Sequence, residues 1–98
     1  MRPLSPEQML RALNGRAYDL RTYSSNWEFR SAFLSELEEI IERAPEEITP
    51  YLETRKTEIR ALIQNGVRSS EAFLEEAKNT ADDVIKWCNL KTQDRTAT

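Results

Sequence analysis

Ninety-eight residues, 32% of them charged and with a formal net charge of -3, make a single domain that can bury just enough apolar surface to fold alone. The charge balance describes a well-solvated surface and excludes both a polycation built for phosphates and an acidic imitation of DNA. The chain has no histidine, which removes the usual general base near neutral pH and a principal zinc and iron ligand, so no metal or cofactor is expected.

Ser5-Pro6-Glu7-Gln8 has the form of a helix start, with a serine to cap free N–H groups, proline in the first turn and glutamine where a capping box places its acceptor. Met9, Leu10, Leu13, Ala17 and Leu20 follow at helical spacing. Asn14-Gly15 interrupts them, and because an interior glycine costs about 1 kcal/mol relative to alanine, a kinked or divided first helix is expected. Ser25-Asn26-Trp27-Glu28 is a second capping box, ahead of the strongest apolar pattern in the chain: Trp27, Phe33, Leu34, Leu37, Ile40, Ile41 and Ala44. Trp27, Leu34 and Ile41 mark one edge of that arc and Phe29 and Ile40 the other, wide enough for a helix with neighbours on two sides.

Pro45 ends this helix near Ala44, since proline lacks an N–H and disfavours helical geometry in the residue before it. Thr49-Pro50 repeats the cap-and-proline pattern, and Leu52, Ile59, Leu62 and Ile63 form the stripe of a third helix that runs out at Asn65-Gly66. Ser69 or Ser70 can cap a last helix with Phe73, Leu74, Ala77, Ala81, Val84, Ile85, Trp87 and Cys88 directed inward and an Asp82–Lys86 pair on its outer face. The stretch from Thr92 to Thr98 has no large apolar residue and reads as a mobile polar tail, leaving residues 1–91 as one helical domain. The expected fold is all-α, a small antiparallel bundle of about four helices, with a helical hairpin that dimerises as its rival.

Charge is unevenly spread. Residues 31–53 hold seven acids against one base, and residues 54–70 hold four bases against one acid, which predicts complementary faces on the second and third helices.

Cys88, the single cysteine, allows no internal disulfide, and its place on the apolar side of the last helix predicts a buried structural thiol. No secretion signal is seen, and no apolar run approaches the roughly 20 residues needed to cross a bilayer, so a cytoplasmic chain without a membrane partner is expected. Glu38-Glu39-Ile40-Ile41-Glu42 places carboxylates three and four apart, a spacing that suits an oxygen-seeking magnesium ion. This run resembles the EExxE element of the MazG-like all-alpha nucleotide pyrophosphatases, and the resemblance implies Glu38, Glu39 and Glu42 as metal ligands of a nucleotide hydrolase. That family's second motif, ExxD on a later helix, has no counterpart, because no aspartate here has a glutamate three residues before it.

Gly66-Val67-Arg68-Ser69-Ser70 resembles the turn of a helix-turn-helix, which would make the chain a weak DNA-binding regulator. The helix after it opens with Glu71, Glu75 and Glu76, which phosphates repel. Arg16, Tyr18, Arg21, Tyr23, Trp27 and Arg30 remain, grouped around the junction of the first two helices. Arginine and aromatic side chains are enriched at protein-contact hot spots. The leading expectation is therefore a non-enzymatic protein-interaction module, a helical adaptor, regulator or inhibitor that binds a protein partner or a second copy of itself through these six residues. Nucleotide hydrolysis and weak DNA binding are its alternatives.

Overall fold

A computed structural model of the chain describes residues 6–96. These form four helices, α1 (Pro6–Tyr23), α2 (Arg30–Arg43), α3 (Thr49–Gln64) and α4 (Ser70–Thr96), with 3₁₀ turns at Trp27–Phe29 and Gly66–Ser69. No strand occurs among the described residues. Helices α1 and α3 each pack against both α2 and α4, so the four stand at the corners of a square. Arg16 meets Glu36 and Glu39, Arg55 meets Glu76, and Arg21 meets Asp82, pairings that run successive helices in opposite directions and return α4 alongside α1. The fold is thus the all-α bundle, completed within one chain; the rival hairpin that dimerises is not the architecture.

Helix α1 corrects one expectation. It is continuous from Pro6 to Tyr23, because Gly15 is exposed and nothing lies within 4 Å of where its side chain would start. Its propensity cost is local, and the burial of Leu10, Leu13, Ala17 and Leu20 on both sides of it holds the helix together. The proposed cap at Ser5 lies outside the described residues.

The entry to α2 also differs from its capping box. The Ser25 hydroxyl donates back to the Thr22 carbonyl (2.7 Å) and so closes α1. Asn26 takes over as the cap, its side-chain oxygen accepting the Glu28 N–H at 3.1 Å. Trp27 therefore sits in a 3₁₀ turn, and α2 starts at Arg30. Before α3 the same reversal occurs: the Thr49 hydroxyl donates to the Pro45 carbonyl (2.9 Å), and Ile48 occupies the cap position with no side-chain bond. Pro45 and Gly66 do mark the main breaks. Ala44 is extended (ψ 146°) ahead of the proline, and Gly66 has φ +81°, a conformation that costs most other residues about 1–2 kcal/mol.

The core runs through all four helices, with Phe33, Phe73, Leu20, Leu37, Ile40, Leu52, Ile59 and Val84 shielded completely from solvent. Phe73 is its pivot, meeting Phe33 and Trp27 edge-to-face at centroid distances of 5.7 and 5.5 Å. Thr80 is buried with them because its hydroxyl donates to the Glu76 carbonyl one turn earlier (2.8 Å), which leaves no unpaired donor.

Helix α4 continues through Thr96, so the stretch read as a tail extends the helix over its described part; residues 97 and 98 lie outside it. After Gly66 the chain has neither glycine nor proline to stop a helix, and the Thr92 hydroxyl folds back onto the Cys88 carbonyl (2.9 Å). At 27 residues α4 is much longer than α3, with 16. Its last turns therefore outrun the start of α3, and this mismatch shapes one end of the bundle.

Candidate functional site

Ion pairs cover all four seams of the bundle. Arg16 Nη1 lies 3.0 Å from Glu36 and 2.6 Å from Glu39 between α1 and α2, and Arg60 lies 2.8 Å from Glu38 between α3 and α2. Arg21 reaches Asp82 at 3.3 Å between α1 and α4. Between α3 and α4, Arg55 pairs with Glu76, and the Tyr51 hydroxyl donates to Asp83 while accepting from Arg55 Nε (3.2 Å). The complementarity expected between the second and third helices is met by Arg60–Glu38, whereas Arg55 turns to α4. Asp82 pairs with Arg21 rather than with Lys86, because it lies on the α1 side of α4.

These seams decide the surroundings of the six arginine and aromatic candidates. Arg16 and Arg21 are engaged across two seams. Tyr23 and Trp27 are half-buried against the core, Tyr23 with its ring edge-on to Phe29 (6.1 Å). Arg30 lies over the Trp27 ring at 4.7 Å and donates to the Trp27 carbonyl (3.2 Å). Tyr18 is different: it is 50% exposed on the flank of α1. The six share a region of the molecule, but five of them turn toward partners within the bundle.

The acidic run is likewise divided. Glu38 faces Arg60 on α3, Glu39 faces Arg16 on α1, and Glu42 is exposed. Among the described residues no three acidic, histidine or cysteine side chains are grouped as a metal site. At Gly66 the helices on either side run antiparallel along a shared seam, unlike the crossing at about 90–120° of a helix-turn-helix. Burial pushes the Cys88 thiol up to about 11, which keeps it protonated and a poor nucleophile near neutrality.

A surface that the sequence pattern did not single out lies at the end where α1 begins, α2 turns into α3 and α4 overruns them. Two open grooves flank Trp87 there. One, of about 260 Å³, is lined by Met9, Leu10, Leu13, Pro45, Glu47, Trp87 and Lys91. The other, of about 360 Å³, is lined by Glu47, Ile48, Tyr51, Asp83, Lys86, Trp87 and Leu90. Met9 (39% exposed) and Leu90 (53%) offer apolar surface on the two sides. Helical periodicity places Trp87 on the inward stripe but says nothing of where its neighbours stop. The available signal was length: a last helix with no breaker after Gly66, beside a third helix that cannot start before Pro45.

No protein-family model matches the chain, and comparison with curated proteins and with solved structures finds no match for it.

Proposed function

We propose that this chain is a non-enzymatic protein-binding module that receives its partner at the Trp87 end of the bundle. One observation carries the reading: ion pairs bridge the seams along the bundle's sides, whereas this end keeps two open apolar grooves around an indole. A buried or half-buried aromatic anchor within apolar surface and a charged rim is the composition of a protein-contact hot spot. Tyr18, the most available of the arginine and aromatic group, supplies at most a secondary contact on the flank. No helix among the described residues is long and apolar enough to cross a bilayer.

The test is affinity capture from the native host with three chains: wild type, Leu90→Ser and Tyr18→Ala. Both substitutions fall on exposed side chains, so the fold is expected to persist, which circular dichroism checks. Proteins held by the wild type and by Tyr18→Ala should be lost from Leu90→Ser. Retention of the same proteins by a folded Leu90→Ser chain would overturn the reading.

A further inference from the structure

Of the two grooves beside Trp87, the one of about 260 Å³ lies against the first turns of α1. Met9, Leu10 and Leu13 form one wall, with Pro45 and Trp87 completing the apolar lining. Leu10 and Leu13 are buried, whereas Met9 stands 39% exposed at the rim. The two charged side chains of the lining, Glu47 and Lys91, lie 2.8 Å from each other. An apolar side chain entering here therefore meets charges that already have an opposite neighbour, and it brings none of its own to be compensated.

Residues 1–5 lie outside the described ones, but their sequence constrains how they enter α1. Pro6 is the first residue of that helix and disfavours helical geometry at Ser5, as Pro3 does at Arg2. A segment with two such restrictions is not built to prolong α1 along its axis. With Ser5 as the cap, Leu4 and Met9 take the two positions that pack on each other as a hydrophobic staple at a helix start. Chain length holds Leu4 within about 7 Å of Pro6, and Met9 stands less than one turn further along α1, so the contact needs no unwinding. The other groove has no α1 residue in its described lining. At the far end of the chain, residues 97 and 98 are alanine and threonine and offer no large apolar group to either groove.

We infer that Leu4 folds over Met9 into the groove on the α1 side and meets Trp87 there, so that the chain's own first residues are a cover that keeps other apolar groups out. Burial of the leucine removes apolar surface from water on both sides of the contact, which is what holds the cover down. It sets a threshold that a partner at the Trp87 end has to overcome, a consequence that rests on that end being the contact surface.

NMR of the full chain with labelled methyl groups tests the contact directly. Nuclear Overhauser effects should join the Leu4 methyls to the Met9 methyl and to the Trp87 indole. Leu4→Ser should shift the amides of residues 46–47 and 87–91, whereas Leu4→Met should leave them near their wild-type positions. Contacts from Leu4 that stop at Met9, shifts confined to α1, or no contact from Leu4 at all would overturn the inference and leave the Trp87 surface standing. Nile red, a neutral apolar dye, tests the cover: Leu4→Ser should bind it several-fold more tightly than the wild type, with circular dichroism checking that the helices persist. Equal binding by the two chains would mean that Leu4 excludes nothing, and would overturn the cover. None of these readouts needs a partner protein, so a failure of affinity capture bears on the contact surface and not on the Leu4 contact.

Discussion

Burial of a single side chain has consequences at Cys88 that reach beyond packing. Its thiol is raised from 9.0 to about 11 by loss of water. A folded-state value above the unfolded one means that the folded chain holds its proton where the unfolded chain has released it. Stability from this group is thus present in full below about pH 9 and is lost as pH climbs toward about 11. Thermal melts between pH 8 and 11 should show a falling midpoint, flattened in Cys88→Ala, and an aromatic disulfide reagent at pH 8 should label the native thiol far more slowly than the urea-unfolded one. Phe33 makes the same point by volume. It is wholly enclosed and edge-on to Phe73, so Phe33→Ala should destabilise by about 3–5 kcal/mol, a large part of the 5–15 kcal/mol typical of a domain. Urea unfolding of the two proteins measures the difference. Both residues were legible as core from helical spacing. Thr80 was not, because a hydroxyl that bonds to its own helix is apolar in effect and polar only in name.

Elements were legible where backbone sterics decide them and less so where a side chain has a choice of partner. Pro45 and Gly66 have no alternative role and broke the chain where expected. Ser25 and Thr49, read as caps, donate backwards to Thr22 and Pro45, since a hydroxyl can serve the preceding turn as well as the following helix. The two glycines show the contrast most plainly. Gly15 is a helical residue with empty space around it, so Gly15→Ala removes a propensity cost and meets no clash; it should stabilise by about 0.5–1 kcal/mol. Gly66 also has space around it but φ +81°, so Gly66→Ala should destabilise by about 1 kcal/mol or more through the backbone alone. Opposite shifts in melting temperature for one chemical change check the pair, and a gain at both positions would contradict the left-handed turn between α3 and α4.

At the scale of the whole molecule, the sequence supports a bundle but not its exposed end. Periodicity ranks positions within each helix, whereas the opening at Trp87 depends on where three other helices begin and end. The same dependence bears on self-association. The wide apolar arc of α2 invites a second chain only if α1 fails to cover it. Because α1 is unbroken, Phe33, Leu37 and Ile40 are enclosed, and Leu34 and Ile41 are packed on the core within one chain. Among the described residues, the large apolar side chains still exposed are dispersed: Met9 and Leu90 at one end, Phe29 and Val67 at the other, Tyr18 on the flank. A stable dimer buries about 1,200–2,000 Å² in one patch, which residues so scattered do not form. Sedimentation equilibrium should therefore give the 11.4 kDa monomer from micromolar to near-millimolar concentration. A mass that rises with concentration, and falls back in Leu90→Ser, would place a second copy of the chain on the Trp87 surface instead of a foreign partner.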